Sequence, residues 1–388
     1  MPHYRSAGEV PRKRHLRVRR PGGTGHLFEE LMGHEGFSAD SALLYHLGSP
    51  SAIVSHRAVE DATATVLSPD RPLQPRHVRT GEADATGDAV LGRRCLFGND
   101  DVRISWVVAD QPSALYRTAV GDQLVFVQAG SVVLESSFGV LAARAGDYVV
   151  VPTNVVHRWL PEDRAELLVL EARGHVSVPS RYLSEQGQLL EGAPFCERDL
   201  RGPTLGPPLD ESDVPVLVRN HGGLSEVCHA HHPFDVVGWD GCLYPYAFNI
   251  ADFEPIVGAI HQPPPVHQTF AGPGFVVCSF VPRPYDFHPE AIKVPYHHAN
   301  VDSDEVLFYA AGEFMSRSGS GIGVGSISFH PAGFVHGPQP GSLEASTDAE
   351  RTEEVAVMVD TFHPLLVSDE AREASDADYP WTWSGGQR

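Results

Sequence analysis

The stretches VGDQLVFVQAGSV (residues 120–132) and SDEVLFYAAGEF (303–314) superpose with Asp122 on Asp304, Gln123 on Glu305 and Gly130 on Gly312. Further along, GDYVVVPTNVVHRW (146–159) lies on GSISFHPAGFVHGP (325–338), pairing Gly146 with Gly325, Pro152 with Pro331 and His157 with His336. Each copy reads as a strand ended by a glycine turn, then a returning strand closed by proline and a late histidine. Two copies in the same order imply one architecture used twice. The spacing from Gln123 to His157 differs slightly from that of Glu305 to His336, as a hairpin loop of variable length allows.

Outward from the repeat, short β-branched runs dominate, among them RISWVVA, AELLVLEA, FVVCSFV and VAVMVD. Their length and their Gly, Pro and Asp punctuation predict strands at close spacing, as in a sandwich or barrel. Residues 25–41 (GHLFEELMGHEGFSADS) suggest a short helix and a loop, 184–213 a long loop around or between the barrels, and SDEAREASDADY a helical turn or two.

At 388 residues the chain has room for two domains, and its 37 Gly and 32 Pro fit a β-rich fold. No run approaches the roughly 18 apolar residues of a membrane span, and no signal-like segment opens the chain, so a cytoplasmic protein is expected. Five scattered cysteines without C-x-x-C spacing argue against a disulfide frame or a structural zinc site. A net charge of -21 disfavours nucleic acid as a partner. The basic first twenty residues are the exception, and their ordinary reading is a segment lying on the acidic body.

Where the repeat brings strand start and late histidine together, the second copy offers His298, Glu305 and His336, with His297 and Asp304 as adjacent choices. Two imidazoles and one carboxylate suit a non-haem iron(II) centre that leaves positions open for substrate and dioxygen. The first copy holds Tyr116, Gln123 and His157 instead, a set without an anionic carboxylate, so that barrel is expected to be metal-free. A lone histidine at a strand end is ordinarily a surface or core group; a repeated scaffold with one complete donor set weighs against that reading here. The cluster CHAHHPF (228–234) has imidazoles but no carboxylate at ligand spacing, and reads as a loop between barrels.

The repeat resembles the cupin superfamily, which implies an all-β bicupin: two double-stranded β-helix (jelly-roll) barrels with few short helices. Four further stretches, HHPFDVVGWDGCLYPYAFNI, AIHQPPPVHQTF, PYHHANVDSDEV and HPAGFVHGPQPG, in that order, resemble the homogentisate 1,2-dioxygenase family, especially its shorter bacterial members. The likeness runs through most of the chain and is strongest over about 229–365. It implies Fe(II) held by His298, Glu305 and His336, His261 as the catalytic acid/base, and His330, His297 and Phe314 lining the substrate pocket. Two departures stand out: the first histidine and the glutamate are one residue further apart than in the animal and pseudomonad enzymes, and Phe314 replaces a tyrosine that contacts substrate.

The resemblance implies oxidative ring opening of homogentisate with O2 to maleylacetoacetate, in tyrosine and phenylalanine catabolism. Another hydroquinone such as gentisate, Mn(II) in place of Fe(II), and a non-catalytic bicupin binding protein are the alternatives. It further implies a homo-oligomer, trimer or hexamer, with no nucleic-acid or membrane partner. The expected division is a basic segment at 1–25, a metal-free cupin domain at 26–235 and a catalytic cupin domain at 236–388.

Overall fold

Strands Gln123–Ala129 and Asp304–Ala311 occupy matching places in the computed structural model, which describes residues 3–83 and 85–384. Each ends at a left-handed glycine, Gly130 with φ +76° and Gly312 with φ +86°. A Cβ there would lie 2.0 Å from the Arg164 carbonyl oxygen and 1.9 Å from that of Glu353, so both turns demand glycine twice over. Asp122 and Asp304 make matching ties as well. Asp122 accepts from the Thr153 and Val176 amides, and Asp304 from those of Ala332 and Leu365. The late histidines pair in register too, His157 with Tyr116 and His336 with His298.

The architecture is nearly all β, the α-helices among the described residues being the single turns Ser342–Ala345 and Asp369–Glu373. The first barrel sets a seven-stranded sheet against a nine-stranded one; the second is built on a six-stranded sheet. Strands facing water alternate, as in Gly139–Arg144, where every second residue is buried. By contrast, Asp147–Val151 is buried throughout, because its outer face is covered by the second barrel. Aromatic rings seal this junction: Trp106 and Phe126 meet Phe308 at 5.5 and 6.2 Å, and Tyr148 meets Phe270 at 5.3 Å. Gln128 donates across it to the Ala310 carbonyl at 2.7 Å.

The barrels also trade strands. Arg76–Arg79 adds to the second barrel's sheet beside Ser326–His330, and Leu366–Ser368 returns to pair with Arg94–Gly98 in the first. Val236–Gly241 pairs with Ser41–His46, and Tyr246–Asn249 with Asp147–Val151. A cut between residues 235 and 236 therefore severs hydrogen-bonded strands, and the sheets do not divide there.

Residues 25–41 form no α-helix: Phe28–Gly33 is a strand paired with Ser41–His46, followed by the 3-10 turn Glu35–Phe37. Pairing with a buried neighbour overrides the helical leaning of FEELM. The basic segment does lie on the body. Arg5–Gly8 pairs with Val236–Gly241, and Arg14 bonds Asp240 at 2.7 Å. No helix among the described residues is long and apolar enough to cross a membrane.

Candidate metal centre

Glu305 opens its strand at the mouth of the second barrel, His298 sits on the segment before it, and His336 follows the returning strand. His298 and His336 exchange backbone hydrogen bonds of 2.8 and 2.9 Å, which fixes both rings on one side of the carboxylate. His298 Nε2 lies 3.8 Å and His336 Nε2 3.5 Å from the Glu305 carboxylate, and the three donor atoms all fall within 4.8 Å of one another.

The ring tautomers follow from the backbone. His298 Nδ1 meets the Tyr296 carbonyl at 3.0 Å and His336 Nδ1 the Phe334 carbonyl at 3.4 Å; a carbonyl only accepts, so each Nδ1 carries the proton. Each Nε2 is thereby available as a ligand when its ring is neutral, whereas a protonated ring would donate from it to Glu305. His336 Nε2 is buried and has no hydrogen-bond partner. Burial would raise the Glu305 carboxyl, but the imidazoles of His298, His330 and His336 outweigh it and hold the group well below its ordinary range. An anionic oxygen and two bare nitrogens converging at this distance fit a divalent first-row ion.

The remaining predicted residues fall around this centre. His261 lies on a loop lining a cleft of about 250 Å³ that reaches His298 and Glu305, with Nδ1 3.4 Å from the Asp286 carboxylate. His297 faces an adjoining outer cleft and packs against Gly337. His330 is fully buried, its Nδ1 2.8 Å from Glu305 and its Nε2 3.0 Å from the Tyr379 hydroxyl. With both nitrogens engaged, it supports the carboxylate from behind and presents no free group to a substrate. Phe314 is buried against Tyr309, ring centroids 4.8 Å apart, and packs in the wall.

Several lining groups escaped sequence reading. Asp360 faces Glu305 from the neighbouring strand, and burial together with the Glu305 charge pushes its carboxyl up to about 7. Its counterpart Glu171 pairs with Gln123, so the repeat itself contained that signal. Arg283, Lys293 and Arg317 put three cations on the wall of the cleft in an otherwise acidic protein. Arg283 sits on the two-residue strand Arg283–Pro284, Arg317 on the 3-10 turn Met315–Arg317 and Lys293 on a loop, all outside the matched stretches, where spacing says nothing.

In the first barrel the matching position holds a protein cation. The Arg93 guanidinium lies 3.2 Å from Glu171 and 5.7 Å from the Tyr116 ring centre, and Gln123 approaches the same carboxylate at 3.5 Å. Burial, helped by Arg93, drops His157 to about 4 and keeps it neutral. Among the described residues, the CHAHHPF histidines do not join a carboxylate in a three-donor cluster; Asp235 beside them binds His46 at 2.6 Å.

Fold and donor set together define a double-barrel protein whose second barrel brings two imidazoles and one carboxylate together at the place the repeat predicts. The sequence comparisons agree with that class. Residues 104–250 match the family model described as Homogentisate 1,2-dioxygenase N-terminal. A Saccharolobus solfataricus protein named "Putative dioxygenase SSO1533" is 37% identical over 389 residues, covering 99% of both chains. The homogentisate 1,2-dioxygenase of Emericella nidulans is 26% identical over 78% of this chain and 71% of its own. Among solved structures, a cupin 2 conserved barrel domain protein from Leptotrichia buccalis aligns with 70% of this chain and 86% of its own, at 10% identity and a TM-score of 0.34. The chain belongs to the homogentisate 1,2-dioxygenase family, whose members are cupin-type dioxygenases.

Proposed function

We propose that the chain is an Fe(II)-dependent ring-cleaving dioxygenase that opens homogentisate with O2 to maleylacetoacetate. The observation that carries this reading is the convergence of His298, Glu305 and His336, the first two of which line a cleft. Bound there, Fe(II) would supply a Lewis-acid centre that acidifies a ring hydroxyl and relays electrons to O2. The protein's own groups do the rest. Lys293 and Arg317 offset the carboxylate of an anionic aromatic, Arg283 being paired with Glu354 at 3.2 Å, and the apolar side chains of Leu307, Met358 and Phe280 flank its ring.

His261 accepts the hydroxyl proton and returns it later; an imidazole can do both near neutral pH. Asp286, 3.4 Å from its Nδ1, orients the ring so that Nε2 is the nitrogen left for substrate. The first barrel acts as scaffold.

Gentisate or another hydroquinone is the second reading, favoured by Phe314, which offers no hydroxyl and packs away in the wall. The test is oxygen uptake by the Fe(II)-loaded protein with homogentisate, gentisate and unsubstituted hydroquinone, together with absorbance of the ring-opened product. Turnover of homogentisate well above the others is expected. No uptake with homogentisate but uptake with another ring would transfer the assignment, and no uptake with any would leave a binding protein.

A further inference from the structure

We propose that His34, Asp122 and His175 form a second divalent-cation site, of the nitrogen-rich kind that takes zinc(II), outside both barrel interiors. His34 follows strand Phe28–Gly33, Asp122 precedes Gln123–Ala129, and His175 follows Ala165–Ala172, so three separate segments meet at this point. His34 Nε2 is 3.9 Å and His175 Nδ1 3.5 Å from Asp122 Oδ1, and the three donor atoms lie within 4.8 Å of one another. Donors around a tetrahedral ion with bonds of about 2.0–2.1 Å sit roughly 3.4 Å apart, close to the two separations from Asp122, so closure needs chiefly a turn of the stacked rings that aims their nitrogens at a common point.

Two observations separate this cluster from ordinary packing. Both facing nitrogens, His34 Nε2 and His175 Nδ1, are buried and make no hydrogen bond, meeting only the Asp122 carboxylate at 3.9 and 3.5 Å, an arrangement a shared cation would complete. The internal repeat then supplies a control. Asp304 performs the same backbone ties as Asp122, yet no pair of histidines converges on it among the described residues. The tie therefore requires only the aspartate, and the two imidazoles are an addition to the first copy.

The backbones are held ready. The His34 amide donates to the Asp40 carbonyl, the Asp122 amide to Gly174, and the Ala172 amide to Asp122. Asp122 Oδ1 also accepts from the Thr153 amide and hydroxyl, both at 2.8 Å, and the hydroxyl can rotate to free a lone pair. The two rings stack with centroids 3.4 Å apart, and His175, about a third exposed, has room to turn its nitrogen toward an ion. The charges of Asp40 and Glu35 act on the cluster and add to its attraction for a cation. Nitrogen donors select zinc(II) or a similar borderline ion over magnesium or calcium. Bound, it would staple the N-terminal hairpin to the first barrel.

The test is zinc(II) uptake by the metal-stripped full chain, followed by equilibrium dialysis with metal analysis. Wild type should take two equivalents, His336→Ala one, and His336→Ala combined with His175→Gln none at comparable affinity, a loss of about a hundredfold or more. Zinc should also raise the melting temperature of His336→Ala and not that of the double variant. An equivalent retained in the double variant, or none taken up by His336→Ala, would overturn the site. If wild type binds a single equivalent that depends on His175 and not on His336, the second site stands and the catalytic centre proposed above fails.

Discussion

Glu305 is one carboxylate among three imidazoles, and its neighbours have unequal duties. His298 and His336 turn bare nitrogens toward it, while His330 spends both of its nitrogens on Glu305 and Tyr379. His330→Phe should therefore weaken metal affinity by about 10- to 100-fold with little loss of fold, read by Fe(II) titration; an unchanged affinity would remove His330 from that supporting role. In the first barrel, Arg93→Met leaves the Glu171 carboxylate without its cation and should cost on the order of 3 kcal/mol in urea unfolding. His46 gives a pH signature. Burial alone would lower its pKa, but hydrogen bonds to Asp235 and Glu30 raise it to about 9. That stabilisation is fully present below the unfolded pKa of about 6.5 and lost as pH rises through about 9. Wild type should lose melting temperature across that window relative to His46→Gln. The ligand trio was legible in the sequence because the repeat marked its positions. Asp286 and the three cleft cations were not, because they come from loops, a two-residue strand and a 3-10 turn outside the repeated stretches.

At the scale of elements, the glycine turns are the strongest signal the chain carries. Gly312→Ala and Gly130→Ala must each place a methyl group on a carbonyl oxygen at a left-handed φ, and each should destabilise by more than about 2 kcal/mol. Equilibrium denaturation checks this, and a neutral effect would mean the turns can reshape. Strands flanking those glycines were readable from β-branching and punctuation. Phe28–Gly33 was not, because its helix-forming residues are held extended by the buried strand beside it. The short outer pairings, such as Arg76–Arg79 on Ser326–His330, left no local trace either, since only distant contacts define them.

For the whole molecule, the exchanged strands and the aromatic seam at Phe308 join the two barrels into one packed body. Residues 236–388 produced alone should fail to fold, showing no cooperative thermal transition by circular dichroism, because Tyr246–Asn249 and Leu366–Ser368 lose their partners and Ser326–His330 loses an edge. A sharp transition in that fragment would show the barrels to be independent. The trade of strands also has a consequence for descent. Once each copy of a duplicated unit borrows an edge from its twin, neither can be deleted without spoiling the other, and the copy with Gln123 where its sibling has the carboxylate of Glu305 is inherited alongside it.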